Sequence, residues 1–379
     1  MILAALLFAA SAQTVSTLCQ TEDVVINPDY KVRRLVGCGE GFSENTLWHL
    51  DRLDSRDGSL DAQFTRPAMS GNAVVYVVDS GIDRSHDEFQ RADGTNVIGG
   101  IDASTPNGAV FGPCADVGPE LHPCFDPKVA GQVTVFTHGT GVASIIGGRT
   151  VGVAPEAKLV SVLTAFTAPA AWLDAFNRII RHAWDPSTPQ FRTAVINISG
   201  GVPFRNVPSE ALLLEQITQK IRDMIGGVDA EGRPDPSGKR FFFVVAAGNI
   251  TPAVVQCGPD GGPGAFPGRI AAVTDGILSV GGITAENAYW SGSCSGEVYA
   301  PAENILAASN TAHDYYRKDD ASGTSFSAPI VSGIAARMLA MEPELSPEEL
   351  ERRIKSLPAH TTDGRPAVTL YAPPRRRAR

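Results

Sequence analysis

Short apolar runs alternate along this chain with longer stretches whose apolar residues recur at helical spacing. The short runs are rich in β-branched or aromatic residues, which indicates buried strands. They lie at 73–78, 159–163, 194–198, 241–246 and 277–280. Helical spacing predicts helices over 138–146, 170–183, 209–225 and 325–341. A last helix is predicted from Pro347, where Ser346 and Glu349 have the spacing of a capping box.

Strands that alternate with helices predict a particular class of fold. They favour an α/β architecture in which a central, mostly parallel sheet is flanked by helices on both faces. Ligands of such sheets bind beyond the carboxyl ends of the strands. Two stretches rich in turn residues, 104–131 and 226–240, are predicted to be surface insertions, because strands resume directly after each.

The N-terminus has the pattern of an export signal. Residues 2–10 are apolar and are followed by Ser11, Ala12 and Gln13, which predicts a signal peptide over 1–12 with cleavage after Ala12. No Lys or Arg precedes the apolar run, so an N-terminal end without a targeting role is the alternative. The run is too short to span a bilayer, which takes about 20 apolar residues. A secreted protein is therefore expected, or alternatively a periplasmic one, and no membrane partner.

Composition narrows the function classes. The chain has 379 residues, of which 43% are hydrophobic and 19% charged, as in ordinary globular proteins. The formal net charge of −9 argues against nucleic acid as a partner, because phosphate binding needs a basic face. The basic stretch 373–379 at the end of the chain is expected to be solvated.

Six cysteines suggest disulfide bonds in an exported chain, although six allow 15 pairings. The simplest nearest-neighbour pairs are Cys19 with Cys38, Cys114 with Cys124, and Cys257 with Cys294. Free buried thiols are the alternative. Since no Cys-x-x-Cys occurs, the spacing of a zinc site is absent.

Four segments place a reactive side chain where a parallel sheet exposes it. Asp79 ends the first strand, Asn249 follows the strand at 241–246, and His138 and Ser325 each begin a helix. Each has a structural alternative when taken alone: a turn cap, a Gly-Asn turn, a buried histidine or a helix N-cap. Together, in this order, they are hard to obtain by chance. A carboxylate, an imidazole, a fixed amide donor and a hydroxyl are the groups that acyl transfer requires.

The chain resembles the subtilase family, and most closely its proteinase K-like branch, from about residue 45 to about residue 358. The triad order Asp, His, Ser is that of subtilisin. The segments similar to the three triad motifs and to the oxyanion segment are Val78-Asp79-Ser80-Gly81, His138-Gly139-Thr140, Gly323-Thr324-Ser325 and Ala247-Gly248-Asn249. The resemblance implies a three-layer subtilisin-like fold and serine endopeptidase activity, with Asp79, His138 and Ser325 as the catalytic triad and Asn249 as an oxyanion donor.

The resemblance also implies where a substrate binds. An extended polypeptide is expected to add as a strand beside Ser199, Gly200 and Gly201, and Ala265 is expected to border an apolar primary pocket. It implies a peptidase domain over 45–372 after a short N-terminal segment at 13–44. No cofactor is needed for the chemistry, whereas structural calcium is expected from the family; its ligands, and hence any metal site residues, are unknown from the sequence. The protein is expected to be a monomer, and the resemblance favours the Cys257–Cys294 bridge.

The sequence departs from the family pattern at three positions. Gly141 and Ser144 replace a histidine and a glycine that usually follow the catalytic histidine, and Gly200 replaces a larger apolar residue that lines the substrate groove. Subsite preference is therefore left open. A non-catalytic binding protein on the same scaffold is the alternative function, and an intracellular enzyme follows if residues 1–12 stay attached.

Overall fold

The computed structural model describes residues 13–370, apart from a set of gaps. The gaps are 28–29, 40–43, 56, 67, 70, 72, 104–109, 112–136, 165–168, 204–207, 229–230, 236–237, 252–255, 311–312 and 318–320. The predictions for the signal peptide at 1–12, the basic tail at 373–379, most of the insertion at 104–131 and the pair Cys114 and Cys124 lie outside the described residues. Within the described part, no helix is both long and apolar enough to cross a bilayer.

Strands and helices follow one another along the described chain. The strands are β1 (Gln13–Ser16), β2 (Cys19–Asn27), β3 (Tyr30–Cys38), β4 (Gln63–Arg66), β5 (Val74–Asp79), β6 (Gln90–Arg91), β7 (Gly94–Thr95), β8 (Val97–Asp102), β9 (Val110–Phe111), β10 (Lys158–Leu163), β11 (Thr193–Ile198), β12 (Val202–Pro203), β13 (Arg240–Ala246), β14 (Ala265–Phe266), β15 (Ile277–Ile283), β16 (Val298–Pro301), β17 (Tyr315–Arg317), β18 (Ala359–His360) and β19 (Pro366–Ala367). The helices are α1 (Trp48–Asp51), α2 (Thr137–Gly147), α3 (Pro169–Trp184), α4 (Pro208–Gly226), α5 (Thr324–Met341) and α6 (Pro347–Lys355), with 3₁₀ turns at Asp87–Phe89 and Gly268–Val273.

A large sheet forms the centre of the molecule. In the described part it has ten strands in the order β18-β19-β16-β15-β13-β11-β5-β10-β8-β9. The neighbours from β19 to β8 run parallel, whereas β18 and β9 pair antiparallel at the two edges. This confirms the predicted α/β fold with a mostly parallel central sheet.

Helices cover both faces of the sheet, because successive side chains of each strand point to opposite sides. In β5, Val75 and Val77 pack into one core with α2, α5 and α6, while Val74, Tyr76 and Val78 pack into a second core with α3 and α4. Strands buried on both faces have no polar alternation, which explains why they appear as continuous apolar runs in the sequence.

The elements predicted from periodicity are present with small shifts of their ends. The predicted helix 138–146 is α2 (Thr137–Gly147), and the predicted strand 277–280 continues to Ile283. The predicted capping box is also present, since Ser346 Oγ accepts from Glu349 N while the Glu349 carboxylate accepts from Ser346 N. The pattern of apolar residues does not predict β8, because its Val-Ile-Gly-Gly-Ile-Asp sequence is interrupted by two glycines.

The N-terminal segment contains strands that the sequence pattern does not indicate. β2 and β3 form a hairpin closed by the Cys19–Cys38 disulfide, β3 pairs with β17, and β1 pairs with β4. The hairpin holds charged side chains such as Glu22 and Arg34, which form an exposed ion pair, so its sequence is not a continuous apolar run. The structure also forms the Cys257–Cys294 bridge, so two of the three nearest-neighbour pairs are present.

Candidate active site

Asp79 and His138 meet at the carboxyl edge of the sheet. Asp79 is the last residue of β5, and His138 lies in the first turn of α2. His138 Nδ1 lies 2.9 Å from Asp79 Oδ1 and 3.0 Å from Oδ2; the carboxylate is 0% exposed and the imidazole 36%. An ionised carboxylate only accepts hydrogen bonds, so Nδ1 carries the proton and Nε2 keeps its lone pair. Nε2 is therefore the ring nitrogen that can take up a proton.

Gly139 allows α2 to approach β5 this closely. A Cβ atom at Gly139 would lie 2.3 Å from Gly81 O and 3.1 Å from Asp79 Oδ1, which no real side chain tolerates. The Gly139 N–H also donates to Ser80 Oγ at 3.0 Å, while Ser80 N donates to Asp79 Oδ1 at 2.7 Å. The His-Gly-Thr sequence thus fixes the distance between imidazole and carboxylate.

Ser325 stands at the start of α5, one residue after its beginning at Thr324. Gly323 precedes the helix with φ +149°, a backbone conformation that L side chains rarely adopt. Ser325 Oγ donates to Ser199 O at 2.9 Å, and Ser199 Oγ donates to Ser325 O at 2.8 Å. The hydroxyl therefore donates its single proton to the end of β11 in this structure, and that hydrogen bond must break before the proton can pass to His138.

Asn249 is held with its amide nitrogen free to donate. Its Oδ1 accepts from Thr324 N at 2.9 Å and from Thr324 Oγ1 at 3.0 Å, which only the oxygen of the amide can do. Asn249 N donates to Gln256 Oε1 at 2.8 Å. Because Oδ1 is fixed in this way, Nδ2 is left as a positioned donor beside Ser325, as an oxyanion site needs.

The predicted site residues line one cleft of about 540 Å³. Its walls are formed by Asp79, Ser80, His138, Thr164, Ser199, Gly200, Gly201, Ala246, Gly248, Asn249, Gln256, Ala265, Phe266, Gly268, Thr324 and Ser325. All eight residues that the sequence singled out are among them. Thr164 follows the end of β10, so the rule on strand ends could have identified it, whereas no sequence signal points to Gln256.

One end of the cleft is closed by two short strands. β12 pairs antiparallel with β14, which places Val202 opposite Phe266 and Pro203 opposite Ala265. A Cβ atom at Gly201 would lie 2.9 Å from Phe266 O and 3.0 Å from Ala265 Cβ. The lack of a side chain at Gly201 therefore keeps this part of the cleft open.

A buried polar network supports the strand beside the serine. Asn197 Nδ2 donates to Ser199 Oγ at 3.0 Å, and Ser332 Oγ of α5 donates to Asn197 Oδ1 at 2.9 Å. Asn197 and Ser332 are fully buried. Together with the two bonds between Ser199 and Ser325, the network fixes β11 against α5.

Gly141 and Ser144, two of the positions that depart from the family pattern, lie in α2 and pack against neighbouring backbone. Ser144 is fully buried, and its Oγ donates to Gly141 O at 2.7 Å and accepts from Ala308 N at 3.0 Å. A Cβ atom at Gly141 would lie 3.3 Å from Ala308 O. The helix after His138 is thus packed tightly against the segment at Ala307 and Ala308.

The other described histidines lie outside the cleft. His49 Nε2 contacts Val151 O, His86 Nδ1 accepts from Glu88 N, and His182 Nδ1 contacts Tyr76 Oη. Burial lowers the pKa of His49 and of His182 to about 4. Among the residues that the structure describes, no group of three or more His, Cys, Asp or Glu side chains is placed to hold a metal ion, so no calcium site is assigned.

A buried carboxylate under an imidazole and a hydroxyl at a helix start, all on the carboxyl edge of a parallel sheet, define the class of α/β serine hydrolases with the order Asp, His, Ser. Comparison with known proteins gives the family. The model of the subtilase family, Peptidase_S8, matches residues 70–370, and the chain belongs to this family.

Two curated relatives and one solved structure illustrate the likeness. The alkaline extracellular protease of Yarrowia lipolytica is 29% identical over 86% of this chain and 63% of its own length, and the extracellular serine proteinase of Thermus sp. is 30% identical over 80% and 59%. The chain thus spans about three fifths of these relatives. A crystal structure of a cold-adapted subtilisin-like serine proteinase matches with a TM-score of 0.59 and 21% identity, over 86% of this chain and 98% of that one, and supports the fold.

Proposed function

We propose that this protein is a secreted serine endopeptidase that hydrolyses peptide bonds through an acyl-enzyme intermediate. The observation that supports this most directly is the cleft itself. It holds an imidazole whose Nδ1 is bound to the buried Asp79 carboxylate, together with a helix-start hydroxyl and the free amide nitrogen of Asn249. Family membership and relatives named as extracellular proteases favour the same conclusion.

The reaction begins when the Ser325 hydroxyl redirects its proton from Ser199 O to His138 and Oγ attacks the carbonyl carbon of the scissile bond. Nε2 takes the hydroxyl proton and returns it to the leaving amine, while Asp79 holds the tautomer and stabilises the charged imidazolium. Asn249 Nδ2 and the Ser325 N–H donate to the carbonyl oxygen as negative charge develops there. Water then attacks the acyl-enzyme by the same proton route in reverse.

The substrate is an extended polypeptide. Ser199, Gly200 and Gly201 follow the end of β11 and line the cleft, so a peptide can add beside them through main-chain hydrogen bonds. Gly200 offers no side chain to this wall, which favours broad acceptance. The acidic chain is not suited to nucleic acid. A monomer, structural calcium and cleavage after Ala12 stay predictions.

A fluorophosphonate probe tests the catalytic assignment. We expect the purified protein to hydrolyse casein and to be labelled covalently, with peptide mass spectrometry placing the adduct on Ser325. A folded protein that neither hydrolyses casein nor takes up the probe would instead support a non-catalytic binding protein on this scaffold. An adduct on another serine would contradict the assignment of Ser325.

Ala265 is expected to set the size of the primary pocket. Its Cβ lies near the position where Gly201 lacks a side chain, so the three carbons added by Ala265→Leu project into the cleft. We expect kcat/KM for a peptide p-nitroanilide with phenylalanine before the scissile bond to fall about 10²-fold relative to the alanine substrate. Steady-state kinetics with both substrates measure this ratio.

The matched control is Ala272→Leu, which adds the same atoms at an exposed position of the 3₁₀ turn Gly268–Val273. It should leave the ratio of the two substrates unchanged. An equal loss for both substrates in Ala265→Leu would show that Ala265 supports the fold of the cleft rather than the pocket.

A further inference from the structure

A second cavity lies at the edge of the sheet opposite to the catalytic cleft. Asn96, just before β8, and Lys158, the first residue of β10, line it, so it faces the amino ends of two parallel strands. At the other end of β10, Thr164 lines the catalytic cleft. The second cavity has a volume of about 650 Å³. Gln13 and Val15 of β1 form part of its wall, so the cavity lies between the N-terminal segment and the body of the sheet.

The wall of this cavity is basic, although the chain as a whole carries a net charge of −9. Four cationic side chains line it: Arg66, Arg91, Arg149 and Lys158. The acidic side chains on the wall are Asp93 and Glu156, so positive charge is in excess by two. A concave surface with an excess of one sign of charge concentrates ions of the other sign.

Arg66 is a buried cation whose hydrogen-bonding capacity is not used up. It is 7% exposed, its Nη2 donates to Gly152 O at 3.0 Å, and its Nε has no partner in the structure. Among the described residues, no carboxylate lies within ion-pair distance of it. Glu156 and Glu88 favour its charge only from beyond ion-pair distance. A buried guanidinium without a hydrogen-bonded counter-ion is costly, and an oxyanion is the partner that its planar array of donors fits.

Arg337 and Arg91 place two more positive charges close to Arg66. Arg337 is 2% exposed, donates to Val153 O and leaves Nη2 without a partner. Burial lowers the pKa of Arg337 to about 10, with Glu156 acting in the opposite direction and the charge of Arg66 acting in the same direction, so Arg66, Arg337 and Glu156 lie close together. Arg91 is fixed by donating to four backbone carbonyls, Gly147 O and Pro155 O among them, so its charge stays at the wall.

We propose that this cavity binds a tetrahedral oxyanion of the phosphate or sulfate type. Arg149 and Lys158, whose side chains make no hydrogen bond or ion pair within the described part of the chain, reach the anion from the rim, and Arg66 meets it from the wall. Because β1 and β4 both border the cavity, the bound anion fastens the N-terminal segment to the sheet. The site is separate from the catalytic cleft and does not depend on the proposed peptidase activity.

Titration calorimetry with inorganic phosphate at constant ionic strength tests the proposal. We expect saturable binding to the wild-type protein, and binding at least about tenfold weaker in the double variant Arg149→Gln/Lys158→Gln, since each loses a charge-assisted hydrogen bond. Arg181→Gln, an exposed arginine of α3, removes a charge at a distance from the cavity and should bind phosphate as the wild type does. When sulfate replaces phosphate, the wild type and Arg181→Gln should again bind the anion more tightly than the double variant does.

Thermal melting separates a specific site from a general salt effect. Phosphate and sulfate stabilise proteins by exclusion from the surface, which does not saturate at millimolar concentration and does not depend on one residue. A stabilisation that is linear in phosphate and equal in all three proteins would overturn the proposal, as would the absence of binding heat in the wild type. Retained fluorophosphonate labelling or, in its absence, an unchanged circular dichroism spectrum shows that the variants are folded.

Discussion

Replacing Ser325 by alanine should lower kcat for peptide hydrolysis by roughly 10⁶-fold, a size taken from the corresponding change in subtilisin, a protein of the same family. The substitution removes only Oγ, the atom that forms the acyl bond. Its hydrogen bond to Ser199 O is also lost, which costs about 1 kcal/mol of stability and leaves the protein folded. Casein hydrolysis and fluorophosphonate labelling should both disappear, and melting measured by circular dichroism should be almost unchanged.

Ser322→Ala is the matched control for this variant. Ser322 precedes α5 by two residues, and its Oγ accepts from Asn304 N at 2.9 Å, outside the cleft. The control should keep its activity within about threefold of the wild type, because it loses a single partly exposed hydrogen bond. Labelling of Ser325→Ala at the wild-type rate would show that another residue is the nucleophile.

The sequence predicts the core of this fold because buried strands and helices have recognisable patterns of apolar residues. β5, β10, β11 and β13 are buried on both faces, so they appear as apolar runs, and α2 to α5 appear through their helical spacing. Placing the reactive residues then needs only one physical rule. In a parallel sheet the carboxyl ends of the strands share an edge, so Asp79, Ser199 and Asn249 come together.

Other features of the structure cannot be predicted from a single sequence. The hairpin of β2 and β3 is stabilised by pairing with β17 and by the Cys19–Cys38 bridge, which depend on contacts between distant parts of the chain. Gln256 enters the site through a hydrogen bond to the backbone of Asn249, and any residue type with an acceptor at that length could do so. The orientation of Ser325 Oγ toward Ser199 O is a choice of rotamer, which no sequence pattern encodes.

The basic cavity is a further case in which tertiary structure creates what the sequence does not indicate. Arg66, Arg91, Arg149 and Lys158 are separated by up to 92 residues, since 158 − 66 = 92, and no basic stripe connects them. They meet because β4, β6, the end of α2 and the amino end of β10 border the same cavity. Overall net charge, which argues against nucleic acid as a partner, therefore says little about a local site for a small anion.

Asp79→Asn should lower kcat by roughly 10⁴-fold, a size established for the equivalent change in a serine protease that has the same three triad residues in a different chain order. The fold should stay intact, because the amide has the shape of the carboxylate. Ser80 N–H donates to Oδ1 at 2.7 Å, so the amide oxygen is expected to take that position and turn its NH₂ toward His138. Nδ1 then faces an NH₂ group as well as an oxygen, so the proton is no longer held on Nδ1, and a ring whose proton has moved to Nε2 cannot take the proton of Ser325.

Asp83→Asn is the matched control for this change of tautomer. Asp83 lies four residues after Asp79, is buried and accepts from Ser85 N and Ser85 Oγ, but it does not line the cleft. Burial raises the pKa of Asp83, so a neutral amide at this position is tolerated, and we expect activity within about tenfold of the wild type. If Asp79→Asn kept a comparable activity with an unchanged KM, the carboxylate would not orient His138, and the contact of Nδ1 with both carboxylate oxygens would be structural only.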